Sequence, residues 1–178
     1  MERIFRDKMA ELYWLAFLLT GDRERSVQAY TAALNSEAPA PALQKFMLAW
    51  ARKLVIVAAL GTMRRQLRES TLLTQGGSAD DLKGLGRLAS VDLEKFTKGE
   101  LEEVLLAMDT FQRCVVILTV LERMPLDEAA ALLGADERAL KAAQARGVTE
   151  MTWRMAGITE PATRVSFGFE RASMAAFG

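Results

Sequence analysis

Helical periodicity is the feature of this sequence that most constrains its fold. Along most of the chain the apolar residues recur at steps of three and four, as they do on one face of an α-helix. Glycine and proline separate these stretches, and no segment shows more of a strand signal than short apolar runs of ambiguous period. The clearest stripe comprises Leu43, Phe46, Met47, Trp50, Leu54 and Val57. The pattern predicts an all-α fold.

The first block of the sequence predicts three helices. In residues 12–19 the apolar side chains surround most of the helix, so we expect this helix to be largely buried, with Trp14 in the core. Gly21 and Asp22 then supply a stop and a start for the next helix. The second helix carries the stripe Val27, Tyr30 and Leu34. A loop punctuated by prolines, residues 35–41, precedes the third helix.

A glycine-rich segment separates this block from a second one. The third helix continues to Arg68 past a weak point at Gly61. Several glycines follow with only short apolar runs between them, which predicts a flexible linker before the helical pattern resumes at Leu101. The predicted units are a first domain over residues 1–69, a linker over 70–99, a second domain over 100–155 and a C-terminal tail of unknown role over 156–178.

The second domain contains the pattern of a helix-turn-helix. A stripe over residues 111–121, with Leu118 at its centre, ends before Pro125. Gly134 then stops a short amphipathic helix, and a longer helix follows over residues 137–155. A short helix, a glycine turn and a second helix follow each other in this order in helix-turn-helix proteins. Helical hairpins with glycine turns are common, and most of them bind no DNA.

The composition excludes several kinds of chemistry. The 178 residues include no histidine and one cysteine. Histidine-based catalysis, histidine-containing zinc sites and internal disulfides are therefore excluded. Cys114 lies on an apolar stripe, so we expect a buried structural thiol. No nucleophile–base pair, phosphate loop or metal-ligand cluster is visible, and we expect no catalytic residues, cofactor, metal or small-molecule substrate.

The expected location is the cytoplasm. The charged residues at the start of the chain are not followed by a secretory apolar core. No segment approaches the ~20 consecutive apolar residues of a membrane span. A single cysteine is also typical of a reducing compartment. We therefore expect no contact with a membrane.

Two stretches of the chain resemble a known family. Residues 12–24 are similar to the opening of the first conserved domain of extracytoplasmic-function sigma factors, and residues 50–65 resemble the last helix of that domain. Residues 101–151 resemble the second sigma domain along their whole length. The residues at the family's spacing in this second stretch are 111–113, 121–122, 128–134 and 140–141.

The resemblance implies a subunit that binds RNA polymerase core and promoter DNA. In the family, the first domain opens and reads the downstream promoter element, and the second domain reads the upstream element with a recognition helix. The implied DNA-binding residues are Arg64, Arg65, Arg68, Arg138, Lys141, Gln144 and Arg146. The implied contacts to polymerase or to another protein partner are Gln28, Thr31, Arg52 and Lys53.

The sequence departs from the family where DNA and polymerase are bound. Gln28, Thr31 and Ala32 are uncharged where the family carries an acidic residue and a Gln-Glu pair. Residues 35–41 lack an aromatic side chain to stack on a base and a cation for phosphate. These departures favour a second interpretation, a sigma-like module that docks an anti-sigma or other regulatory protein without reading DNA.

The charge distribution also favours weak DNA binding. Residues 1–69 carry 11 basic and 7 acidic side chains, a net charge of +4, whereas residues 101–151 carry 5 and 9, a net charge of −4. Affinity for DNA depends largely on cations that displace counterions. We therefore expect the second domain alone to bind DNA no more tightly than non-specific contacts do, with a dissociation constant of ~10⁻⁴–10⁻⁶ M.

Overall fold

The computed structural model describes residues 2–36, 46–74 and 97–155, and all the regular structure in these ranges is helical. The all-α prediction is confirmed. The helices are α1 (Glu2–Asp7), α2 (Met9–Thr20), α3 (Arg23–Leu34), α4 (Met47–Thr62), α5 (Arg64–Thr74), α6 (Lys98–Leu106), α7 (Thr110–Val116) with a π-helical turn (Ile117–Leu121), α8 (Leu126–Leu133) and α9 (Glu137–Met155). Most of the predicted linker and of the proline loop, and the tail, lie outside the described residues.

The turn between α2 and α3 has the geometry that its sequence predicts. Gly21 ends α2 in the left-handed region, with φ +66°, and its N–H donates to the carbonyl oxygen of Phe17. The Asp22 side chain then accepts a hydrogen bond from the N–H of Arg25 at 2.8 Å and begins α3. The predicted stop and start at this turn are confirmed.

The ends of the predicted linker are helical. α5 continues to Thr74, five residues into the segment assigned to the linker. α6 begins at Lys98, because Thr97 and Glu100 form a capping box: the Thr97 N–H donates to the Glu100 carboxylate at 2.9 Å, and the Glu100 N–H donates to the Thr97 hydroxyl. The Thr97 N–H also lowers the pKa of Glu100. Helical structure therefore extends into both ends of the segment that the sequence assigns to the linker.

The buried face of α3 differs from the predicted stripe. Val27 is 54% exposed, whereas Ser26, Ala29 and Ala33 are buried. These three small side chains recur at steps of three and four and let α3 pack closely against α2 and α4. The predicted stripe of large apolar residues therefore lies about one residue away from the helix face that is buried.

The third predicted helix consists of two helices. The break between α4 and α5 falls at Met63, whose side chain is buried, and not at Gly61. Val57 was expected in the core and is 47% exposed, and Trp50 is half-buried. The residues of α4 that enter the core are Ala51, Val55, Ile56, Ala59 and Leu60.

The two sequence blocks pack against each other. We call residues 2–74 the first block and residues 97–155 the second block. α2 packs on α6 and α7, α4 packs on α8, and α5 packs on α7 and α9. Buried apolar side chains from both blocks, among them Leu19 and Phe111, belong to one continuous core. The two blocks are therefore not independent cores connected only by a linker.

Two helices joined by a glycine turn lie where the sequence predicts the helix-turn-helix. Gly134 ends α8 with φ +64°, and the Asp136 carboxylate accepts from the N–H of Ala139 at 2.8 Å at the start of α9.

In the parts of the chain that the structure describes, none of the helices has both the length and the apolar character that crossing a bilayer requires.

Candidate partner- and DNA-binding surfaces

A polar network joins the first block to the second at α5 and α7. The Ser70 hydroxyl lies 2.7 Å from both carboxylate oxygens of Asp109, the residue that caps α7. One turn earlier, the Gln66 amide accepts from Arg25 at 2.6 Å and donates to the Thr110 hydroxyl at 2.8 Å. Hydrogen bonds between partly buried groups depend on a defined geometry, so these contacts set how α5 and α7 meet.

Arg113 joins α7 to the C-terminal end of α2. It is 5% exposed, and its Nη2 donates to the carbonyl oxygen of Leu19 at 3.3 Å. A cation near the last carbonyls of a helix interacts favourably with the helix dipole. Burial lowers the pKa of the guanidinium group, so its charge is costly to hold here. Gly21 leaves room for this contact, since a Cβ atom there would lie 2.9 Å from Nη2.

Arg52, predicted to contact a partner, lies between two acidic side chains. Its guanidinium group forms ion pairs with Glu11 on α2 and with Glu122 in the loop after the π-helical turn. The Nε atom also donates to Glu122 at 2.9 Å. The hydrogen bond to Glu122 is the main reason why the pKa of Arg52 is raised. The structure therefore uses this cation to connect the blocks.

Two further contacts connect the blocks nearer to solvent. Lys53, the other predicted contact residue on α4, pairs with Glu128 of α8 at 2.6 Å, and both side chains are exposed by more than a third. Trp14 is half-buried, and its indole N–H donates to Glu102 at 2.8 Å, while the Lys98 ammonium lies 4.5 Å from the centre of its ring. The expectation of a core tryptophan at this position was therefore only partly right.

The predicted DNA-binding residues of α9 do not share one free face. Arg138 and Lys141 are exposed, and Lys141 pairs with Glu137 at 2.6 Å. The Gln144 amide donates to the Thr119 hydroxyl at 3.0 Å, so it is engaged within the fold. Arg146 is half-buried. Of these four residues, Arg138 and Lys141 are the ones accessible to a phosphate backbone.

Close packing covers the second half of α9. Gly147 is buried, and a Cβ atom built there would overlap with the Cγ2 atom of Val116 on α7. Glu150, one turn further on, accepts from the Gln112 amide at 2.7 Å. The helix also contacts α5, α6 and α8. The packed face of α9 is therefore closed to a groove of DNA over this stretch, whereas Trp153 and Arg154 near the end of the helix are exposed.

The three arginines of α5 lie on the surface in two different settings. Arg65 pairs with Glu69 of the same helix at 3.0 Å, with 94% of its side chain exposed. Arg64 and Arg68 are exposed and line a cavity that α4 and α5 form with α8.

On α3, Gln28 and Thr31 are exposed, and the Gln28 amide lies 3.4 Å from Glu24. These two residues lie on a solvent-facing side of the first block.

Cys114 and the acidic side chains are the described residues to consider for reactive or metal-binding chemistry. Cys114 is completely buried, which raises the pKa of its thiol to about 12, so the predicted buried thiol is confirmed. Among the residues that the structure describes, no three acidic or cysteine side chains are grouped so that they could hold a metal ion.

The sequence analysis did not identify the acidic residues of the second block that bind the first block. Glu102, Asp109, Glu122 and Glu128 all bind groups of the first block. The opposite net charges of residues 1–69 and 101–151, +4 and −4, were the signal that could have identified them. The same acidic excess that disfavours DNA thus provides partners for cations of the first block.

Comparison with known proteins finds no matching family model, no similar curated protein and no similar solved structure. The assignment of a function therefore depends on the sequence resemblance and on the surfaces described above.

Proposed function

We propose that this protein is a sigma-factor-like protein of transcription initiation that binds RNA polymerase core and promoter DNA. The observation that supports this function is the α8–Gly134–α9 helix-turn-helix, which follows a helical block in the order that the sigma-like sequence motifs have. Nothing in the comparisons with known proteins adds to this support.

In this proposal, exposed residues of the second block bind DNA and exposed residues of the first block bind polymerase. Arg138 and Lys141 at the exposed start of α9 would bind DNA phosphates, which position a protein on the duplex without reading sequence. The exposed Gln28 and Thr31 on α3 would contact the polymerase core. Two phosphate contacts give little affinity, so recruitment by polymerase would have to supply most of the binding.

Purification of the tagged full chain from its native cytosol tests the polymerase contact. We expect the core subunits to co-purify, and the double variant Gln28→Lys/Thr31→Lys to lower their recovery at least tenfold. Glu103→Lys is the matched control, because Glu103 is equally exposed but lies on α6 of the second block. Absence of polymerase from the wild-type eluate would refute the proposed function.

A promoter-selection experiment with reconstituted polymerase tests the DNA contact. We expect the double variant Arg138→Ala/Lys141→Ala to reduce promoter retention and to reduce its dependence on salt. Arg23→Ala removes an exposed arginine of α3 that is not among the implied DNA-binding residues, and it serves as the control. Equal retention by the α9 variant and the wild type would exclude promoter binding through this helix.

A second function, docking of an anti-sigma or other regulatory protein without DNA reading, is favoured by the coverage of α9. Gln144 and Gly147 are engaged within the fold, so the surface left for base edges in the middle of the helix is small. In the purification described above, this function predicts a regulatory protein in place of polymerase. It also predicts that the α9 variant leaves recovery of that protein unchanged.

A further inference from the structure

A cavity of about 360 Å³ lies where α4 and α5 meet α8. Both blocks contribute to its walls, the first through α4 and α5 and the second through α8. The residues that line it are Val57, Leu60, Gly61, Arg64, Leu67, Arg68, Ala131, Leu132, Leu133 and Gly134. All but the two arginines are apolar or glycine, so the cavity has an apolar wall and a cationic edge.

The two arginines at this edge are available to a ligand. Arg64 and Arg68 are four residues apart on α5, which places them about one turn apart on the same side of the helix. Within residues 2–36, 46–74 and 97–155 neither guanidinium group has an acidic partner, whereas Arg65 between them pairs with Glu69. Guanidinium groups bind carboxylate and phosphate oxygens with two parallel hydrogen bonds.

Part of the apolar wall of the cavity is exposed to solvent. Val57 is 47% exposed although it lies beside the buried Leu60, and Ala131 of α8 is exposed as well. Small-molecule sites typically have volumes of ~300–1,000 Å³, apolar walls and a few placed polar groups. This cavity lies at the lower end of that range, which suits one small ligand better than a segment of another protein.

We propose that this cavity binds a small amphipathic anion, with an alkyl or aryl body against Leu60, Leu67 and Leu132 and a carboxylate or phosphate head between Arg64 and Arg68. The ligand touches both blocks at once. It therefore binds the packed arrangement better than a separated one, and it stabilises the fold by an amount that grows with the logarithm of its concentration once this exceeds the dissociation constant. This inference does not depend on the proposed role in transcription.

Calorimetric titration of the full chain with three eight-carbon probes tests the proposal. Octanoate and octyl phosphate carry the two candidate head groups, and octanol carries the same chain without a charge. We expect one molecule of octanoate or octyl phosphate to bind per chain, at least tenfold more tightly than octanol, and to raise the melting temperature. The tighter of the two anions identifies the head group.

Three variants locate the bound probe. Arg64→Gln/Arg68→Gln should weaken binding of the anions at least tenfold and leave octanol unchanged. Ala131→Trp should abolish binding of all three probes, because the indole ring would fill the cavity from an exposed position. Arg65→Gln, on the same helix but outside the lining, should bind as the wild type does. Absence of saturable anion binding, equal binding of octanol, or equal weakening by Arg65→Gln would overturn the proposal.

Discussion

The Arg113 guanidinium group of α7 donates to the main-chain carbonyl oxygen of Leu19, at the C-terminal end of α2, from a buried position between the two blocks. The Cys114 thiol lies 3.8 Å from the same oxygen. A helix-end carbonyl in the first block is thus satisfied by side chains of the second. This polar contact lies within the apolar core that the two blocks share.

Removal of the Arg113 side chain should destabilise the whole chain. We expect Arg113→Ala to lower the free energy of unfolding by about 2–4 kcal/mol, because it leaves a cavity and leaves the Leu19 carbonyl oxygen with only the weak thiol donor of Cys114. Denaturant unfolding measures the change. Arg138→Ala, which truncates an exposed arginine of α9, should stay within about 0.5 kcal/mol of the wild type. Similar losses in the two variants would contradict the assigned role of Arg113.

The two cations of α4 should differ in their contributions to stability. Arg52 is 29% exposed and Glu122 is 10% exposed, and the pair has several hydrogen bonds, whereas Lys53 and Glu128 form a surface pair. We expect Arg52→Ala to cost about 1–3 kcal/mol and Lys53→Ala at most about 1 kcal/mol. Double-mutant cycles of Arg52 with Glu122→Gln and of Lys53 with Glu128→Gln should show the larger coupling energy for Arg52. Coupling of equal size for Lys53 would mean that burial of the pair is unimportant.

The two blocks should associate without a covalent connection. We expect residues 1–74 and 97–155, co-expressed as separate chains, to co-purify, because apolar packing and the Ser70–Asp109 and Arg52–Glu122 contacts lie between them. Size-exclusion chromatography measures the association. The variant Arg52→Glu should reduce it by placing like charges together, and elution of two independently folded fragments would show that each block has its own sufficient core.

Leu118 and Trp50 should respond differently to truncation, although both lie at the middle of a predicted stripe. Leu118 is completely buried, so Leu118→Ala should cost about 2–5 kcal/mol. Trp50 is half-buried, so Trp50→Ala should cost only about 1–2 kcal/mol. Urea unfolding of both variants distinguishes them. A larger loss for Trp50 would place α4 in a different orientation.

Burial of Cys114 should make stability depend on alkaline pH. The pKa of its thiol rises from 9.0 to about 12 in the folded chain, so the thiol remains protonated after the unfolded chain has lost its proton. Below about pH 9 the thiol is protonated in both states, so the free energy of unfolding does not depend on its titration. Between about pH 9 and about pH 12 only the unfolded chain loses the proton, so the free energy of unfolding falls by up to about 1.4 kcal/mol per pH unit. Unfolding measured against Cys114→Ala from pH 8 to pH 11 isolates this contribution. Parallel pH profiles would contradict it.

The sequence by itself determined the local structure at several helix ends. Gly21, Asp22 and Gly134 act through their own backbone freedom or side-chain oxygen, so the helix boundaries beside them could be predicted without knowledge of distant contacts. The capping box of Thr97 and Glu100 is equally local, and attention to it would have placed the start of α6 correctly.

Only the tertiary structure decided which helix faces are buried and which charges are free. Val27 is exposed because the close contact of α3 with its neighbours requires the small side chains of Ser26, Ala29 and Ala33. Arg52 is engaged because Glu122, seventy residues away along the chain, lies beside it after folding. Periodicity describes one helix at a time, whereas burial and ion pairing are properties of two surfaces in contact. For that reason the sequence predicted the helices, and the packing of the two blocks decided which of their residues a partner can reach.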